Sequence, residues 1–374
     1  MKFLKLDRAV MSNFSSTEKN RVITVKTNVP SIIISLFKNK APNILSSVIF
    51  GINDSSCSEL IEGNVYRKQI DYPKIFKLRF INKPYIAYKT LQASLLQRLL
   101  KILVNSYKED ELTFLIFNGS ISPDNVFDSI KTSHRRVYIE NGFFPNTLQI
   151  DPHGVNAANS LPRKAGYYLN LPNYELKDLP TQVQVRKQKV DYPVIELPND
   201  YIFLPFQIPS DQQIRVHSTW IKTMDDFMDL IIEFAAKYSD KNFVIKEHPS
   251  FKQSIIGKKP LKKNILFANG NSTEELIKNA RFIITLNSTV GIEALLFRKP
   301  VITLADACYN IDGLVRHASN SEELNQIILD TDWFPDERLR IQFLGYIWNE
   351  YLFHGYFNNL PSDTLFKIEN ILNL

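Results

Sequence analysis

From about residue 190 onward, short apolar runs alternate with amphipathic segments, and this alternation constrains the fold more than any other feature of the chain. "YIFLPFQI" (Tyr201 to Ile208) is an apolar run bounded by prolines. Behind it comes "TMDDFMDLIIEFAAKYS", whose apolar positions recur at helical spacing after a capping Thr223. The series continues with "NFVIKEH", "NILFAN", the helix "STEELIKNA" capped by Ser272 and Glu275, "RFIITLNS", the helix "TVGIEALLF" and "KPVITLAD". Strands that are apolar throughout and separated by helices build a parallel sheet covered on both faces, so this half is expected to be Rossmann-like. The first half carries a weaker version of the pattern. Strand-like runs lie at "RVITVKT", "ILSSVIFGI", "LTFLIFNG" and "RRVYIENG", beside an amphipathic helix "LQASLLQRLLKILVNSY".

A chain of 374 residues exceeds the usual size of one domain, and two α/β domains are expected. Residues 1–190 form the first, 191–340 the second, and 341–374 supply helices that cross between them. The polar, proline-dotted stretch "NLPNYELKDLPTQVQVRKQKVDYPVIELPND" reads as the interdomain connection. Cys57 and Cys308 are too far apart in sequence for a CxxC site or a disulfide framework, which fits a reducing, cytoplasmic setting. The N-terminus lacks the apolar run of a signal peptide, and no segment approaches 18 consecutive apolar residues. Forty-five Lys and Arg against 39 Asp and Glu give +6, spread without the basic stripe of a nucleic-acid binder, so no nucleic-acid partner is expected. The cluster "GKKPLKK" reads as a solvated loop, or as a site of attraction to anionic phospholipid or a phosphorylated sugar donor.

In paired Rossmann-like domains, ligands sit at the carboxyl ends of the strands. Four stretches meet that condition: "YIENGFFP", "LPFQIPSDQQI", "IKEHPS" and "ITLNSTVGIEAL". In the last, Asn287, Ser288 and Thr289 form the turn before a helix whose open N–H groups suit a phosphate, and Glu293, one turn in, suits ribose hydroxyls. A plain helix cap by Ser288 or Thr289 is the competing reading. His248, fixed by Pro249, suits the same phosphate, or else bonds a loop carbonyl. Glu140 and Asp211 each follow an apolar strand, one in each half. A carboxylate pair across a cleft serves glycosyl transfer, while each acid alone reads as a cap or a solvated loop residue. GxGxxG, GxxxxGK[ST] and HExxH are all missing, so neither a dinucleotide, an ATP P-loop nor a zinc site is indicated.

Taken together, these stretches resemble the bacterial CMP-sugar glycosyltransferases of the two-domain GT-B fold. Their sialyltransferase members carry acidic-Gly, His-Pro and Ser-Ser/Thr motifs, which here read Glu140-Asn141-Gly142, His248-Pro249 and Ser288-Thr289. A closer resemblance is to the β-Kdo transferases of capsule and lipopolysaccharide synthesis. It is carried by "ENGFFPNTLQIDPHGVNAANSLPR", "LPFQIPSDQQI", "KEHPSF" and "LNSTVGIEALLFRKPVITLADACYN", across about residues 135 to 310. The resemblance implies a retaining enzyme that moves Kdo from CMP-Kdo to a lipid or glycan acceptor. Asp211 would be the nucleophile that forms a covalent Kdo adduct, and Glu140 the acid/base or acceptor-side carboxylate. His248, Ser288 and Thr289 would hold the CMP phosphate, with Glu293 on the ribose. Asn141 stands where many relatives have a second acid. Lys246, Arg163 and the helix start near Asn287 and Ser288 are countercharges for donor phosphate and Kdo carboxylate. No cofactor or metal is expected, because the phosphodiester of CMP-Kdo carries a single negative charge. Peripheral contact with the inner membrane, through basic loops and aromatics of the final helices, and a place in a capsule-export assembly are further expectations. The rival readings are a sialyltransferase-like GT-B enzyme, a sugar-nucleotide epimerase, and a non-catalytic capsule-assembly scaffold.

Overall fold

The computed structural model describes residues 1–373 apart from 15–19, 42, 186–187, 252–253, 331 and 358. It divides into two compact units: Met1–Asn141 with Leu148–Ser160 and Phe353–Leu374, and Gly142–Thr147 with Leu161–Leu352. Among the described residues the strands run, in chain order, β1 (Lys2–Leu6), β2 (Val22–Val25), β3 (Leu112–Phe117), β4 (Arg135–Asn141), β5 (Thr147–Asp151), β6 (Ile202–Pro205), β7 (Phe243–Lys246), β8 (Ile265–Phe267), β9 (Phe282–Thr285), β10 (Val301–Thr303), β11 (Arg316–His317) and β12 (Phe353–His354).

The first sheet has the order β12-β5-β4-β3-β1-β2 and the second β11-β10-β9-β6-β7-β8. Pairing is parallel from β2 through β1 and β3 to β4, and β5 lies antiparallel to β4 with Gln149 opposite Glu140. The second sheet is parallel throughout. This is the α/β, GT-B type of fold expected, with two doubly wound sheets. In the second sheet the chain steps outward from β6 to β7 and β8, then restarts on the other side of β6 with β9, β10 and β11. The winding therefore reverses between β6 and β9, the place where open α/β sheets leave a crevice for ligands. The strands that flank it, β6, β7 and β9, are buried at every position, which is why they read as unbroken apolar runs.

Helix starts follow local chemistry. Thr223 and Asp226 form a reciprocal capping box on Met224–Lys237, and Ser272 accepts from the Glu275 backbone N–H to open Thr273–Asn279. Two expectations fail on local periodicity. "ILSSVIFGI", read as a strand, is the helix Ile44–Gly51: Gly51 lets it lie close to Leu91 and Ser94 of the long helix Arg79–Val104. A short apolar run fits either period, and tertiary packing decides. "RLRIQFLGYIWNEYLFHGYF", read as helical, is helix only through Glu337–Tyr346, followed by a π-turn at Ile347–Tyr351 and then strand β12.

The segments between the expected domain boundaries distribute by core. Residues 161–200 belong to the second unit, where Leu179 is buried and Gln342 clamps the segment, donating from Nε2 to the Tyr168, Leu171 and Pro172 carbonyls. The helix Glu337–Tyr346 buries Phe343 and Leu344 in that same core, while Thr364–Asn373 buries Leu365 and Ile368 in the first unit. Among the described residues no helix is long and apolar enough to cross a membrane. Cys57 and Cys308 are both free and buried.

Candidate functional site

Strand β6 runs out at Pro205, and two residues on, Gln207 turns its amide across the crevice toward the end of β9. Its Nε2 donates to Asn287 Oδ1 at 3.0 Å and to Asp211 Oδ2 at 3.3 Å, while its Oε1 accepts from the Asn287 backbone N–H at 3.3 Å. The three side chains form one hydrogen-bonded chain at the point where the winding reverses. Asp211 is also the N-cap of the helix Gln212–His217, with Oδ1 accepting from the Gln213 N–H at 2.9 Å. Both carboxylate oxygens are thus oriented, and each keeps a second lone pair. Burial pushes the Asp211 carboxyl above its ordinary range, against the pull of the Gln213 N–H, the Gln207 amide and His217. His217 is itself lowered by burial, opposed by Asp306 and Asp211.

Asn287, expected to touch ligand, is the hub of the loops. Its Nδ2 donates to the Gln213 carbonyl at 3.2 Å and the Asp306 carbonyl at 3.1 Å, so it ties the β6, β9 and β10 ends together. Ser288 accepts the Val290 N–H on Oγ at 3.2 Å, and its carbonyl takes the Tyr309 hydroxyl at 2.5 Å. Thr289, at the helix start, makes no side-chain cap bond, so of the two hydroxyls the one that caps is Ser288. The helix it opens, Val290–Leu296, has seven residues. Glu293, expected on a ribose, has no exposed surface.

On the neighbouring strand, β7 ends in Lys246, whose ammonium is buried. It donates to the Asn269 and Asn271 carbonyls at 2.7 and 2.5 Å, and burial lowers it to about 8, opposed by Glu275. Lys246 therefore pins the β8 loop from inside. Glu247 fixes the turn by accepting from Ser254 Oγ, the Ile255 N–H and Asn269 Nδ2 at 2.6–2.7 Å. His248 Nδ1 accepts the Ser250 N–H at 3.2 Å, which leaves the ring proton on Nε2 as a donor. The Pro249 carbonyl holds the Lys189 N–H at 3.1 Å. Asp211, His248 and Ser288 thus follow the carboxyl ends of three adjacent strands, β9, β6 and β7, in the middle of one sheet.

Arg163 lies in the second unit with its guanidinium on the Leu161 carbonyl. Glu140 lies in the first unit at the end of β4. Its Oε2 accepts from Asn118 Nδ2 at 2.5 Å, and Oε1 accepts from the backbone N–H and side-chain amide of Asn141 at 2.8 and 3.0 Å. Asn118 takes a left-handed φ of 61° to reach it. The long segment after Glu140 owes its shape to Asp151, which is fully buried. That carboxylate accepts from the His153, Gly154 and Ser160 N–H groups and from Ser160 Oγ. Among the described residues no group of three His, Cys, Asp or Glu side chains is placed to hold a metal ion.

Gln207 and Tyr309 build the loops of the second unit, and sequence reasoning did not single them out. Gln207 had a signal: a lone amide in "LPFQIP", immediately beyond an apolar strand that points at the crevice.

Residues 173–328, within the second unit, match the family described as Capsule polysaccharide biosynthesis protein. Over its whole length the chain is 42% identical to Protein FixF of Sinorhizobium fredii, covering 93% of that protein. It is 30% identical to the Capsule polysaccharide export protein KpsS of Escherichia coli over 162 residues, 41% of this chain and 40% of that one. Among solved structures, the KpsC beta Kdo 2,7 transferase of Thermosulfurimonas dismutans matches at a TM-score of 0.51 and 14% identity over the full length of both chains, a likeness of fold. The chain belongs to the family of Protein FixF, and the part of its second unit that matches the capsule polysaccharide biosynthesis family holds Gln207, Asp211, His248 and Asn287.

Proposed function

We propose that the chain is a retaining glycosyltransferase that moves Kdo from CMP-Kdo to a hydroxyl of a lipid or glycan acceptor in capsule or lipopolysaccharide synthesis. The observation that carries this reading is Asp211, a carboxylate held by both oxygens at the winding reversal of a sheet in the capsule-family segment. In the proposed reaction an Asp211 oxygen attacks the anomeric carbon as the bond from that carbon to the CMP phosphate breaks, and the phosphate leaves with the electron pair. The His248 Nε2–H and the Ser288 and Thr289 hydroxyls meet the departing charge. An acceptor hydroxyl then displaces Asp211 and gives up its proton to a base. Two inversions give retention. Arg163 offsets donor charge, whereas Lys246 and Glu293, turned inward, act on this reading as frame for the loops.

Donor identity is tested by melting the protein with CMP, UDP and GDP at equal concentration. CMP is expected to give the largest rise, about 2.7 kcal/mol of added stability at a hundredfold excess over Kd. A response led by UDP or GDP overturns the CMP-sugar reading.

The proposed nucleophile works only when ionised, so the rate is expected to fall as pH drops through a carboxyl pKa that burial has raised. Gln207 donates to that carboxylate and so favours its charged form. Gln207→Leu should therefore move the acid limb of kcat/KM to higher pH, and free Asn287 at a cost of about 1 kcal/mol. An acid limb that stays in place would mean that another group titrates.

A further inference from the structure

Two stretches of the first unit, residues 20–53 and 72–108, contain no Asp or Glu, although acids number 39 along the chain. Both lie largely in helices Val29–Lys38, Ile44–Gly51 and Arg79–Val104, which share one core with Leu4, Leu6, Phe114 and Ile116 and so cover a single face of the first sheet. Their inward residues account for that core. Their outward residues do not behave as a water-facing surface should: Phe37 is 65% exposed, Leu45 78%, Phe50 74% and Phe80 73%, with Ile49 and Leu78 also exposed. Ile44–Gly51 is apolar nearly all round, which in a water-soluble unit means buried on every side, yet one side is open. Exposed cations flank these side chains in sequence: Lys38 and Lys40 in the first stretch, Lys74, Lys77, Arg79 and Lys83 in the second.

We propose that this helical face docks on the surface of an anionic lipid bilayer, with the apolar side chains entering the headgroup region and the lysines and arginine meeting lipid phosphates. Apolar side chains flanked by exposed cations match that surface in both polarity and charge, and the acids of the same helical layer, Glu59, Glu62 and Asp71, are confined to the helix Ser58–Asp71. A second copy of the chain fits less well, because a two-fold contact would bring the same cations together. Near the C-terminus, where membrane contact was expected, the aromatics divide: Phe343, Phe353 and Phe357 are buried, while Tyr356 and Phe366 are exposed. The inference stands apart from the donor chemistry proposed above.

The test is flotation of the full chain with phosphatidylcholine vesicles, with and without about a third phosphatidylglycerol, at low and high salt. Wild type is expected to float with the anionic vesicles and to lose binding as salt rises. Leu45→Ser with Phe50→Ser should weaken partition about tenfold or more, and Phe80→Ser less, with melting temperature and nucleotide response unchanged, since all three side chains point outward. The proposal is overturned if wild type fails to float with anionic vesicles at low salt, or if the double variant floats as well as wild type. It is equally overturned if ultracentrifugation shows a dimer that the double variant dissolves, for then a second copy covers the face.

Discussion

Asp211→Asn is expected to lower Kdo transfer by about a thousandfold or more while leaving the fold and the cytidine-nucleotide response in place. The substitution is informative because Asp211 has two jobs. As the N-cap of Gln212–His217 it accepts the Gln213 N–H, and asparagine caps a helix as well as aspartate does. The proposed chemistry asks for an anionic oxygen, which the amide lacks. Stability and nucleotide binding therefore report the cap, and transfer reports the charge. Intact-protein mass spectrometry after incubation with CMP-Kdo generated in place should show the mass of one Kdo added to wild type alone. Full transfer by the variant would mean that another carboxylate attacks, and the covalent route through Asp211 would fall.

Much of the second unit was readable because its sequence is locally consistent: uniformly apolar strands, then helices with Thr223 and Ser272 at their starts. The positions of Asp211, His248 and Ser288 followed from the rule that loops at strand ends carry ligands. What each side chain does there was less legible. Lys246 and Glu293 carry charge and stand where ligand-binding residues stand, yet one ammonium holds two backbone carbonyls and one carboxyl is fully buried. Sequence gives the residue type at a strand end, not the face to which it turns. Asp151, an acid in a proline- and glycine-marked stretch, is the same lesson in the first unit, since it organises its loop by accepting from backbone groups close in sequence. The misread "ILSSVIFGI" failed for another reason: its outward apolar residues made the run look buried on both sides, as a strand would be.

Gly291→Ala separates local propensity from packing at the start of Val290–Leu296. By propensity alone, alanine in a helix is favoured over glycine by about 1 kcal/mol, and the substitution should stabilise. A Cβ on residue 291 would, however, stand 2.3 Å from the Tyr309 hydroxyl oxygen, 2.6 Å from Cζ and 2.8 Å from Cε2. Tyr309 has no room to withdraw: it is buried in the second unit's core, and its hydroxyl is bonded to the Ser288 carbonyl. Either the ring leaves its seat and strands that bond, or the helix start shifts and carries Ser288 and Thr289 with it. Overpacking and a lost buried hydrogen bond together outweigh the propensity gain, giving a net loss of about 2–4 kcal/mol. A lower melting temperature is therefore expected, together with a weakened response to CMP, because both outcomes disturb the hydroxyls proposed to hold its phosphate. Tyr309→Phe removes the atom nearest the new methyl, so the double variant should lose less than the sum of the two single changes. If Gly291→Ala melts at or above wild type, the ring does not press on this glycine, and the tight Gly291–Tyr309 contact is not what shapes the turn.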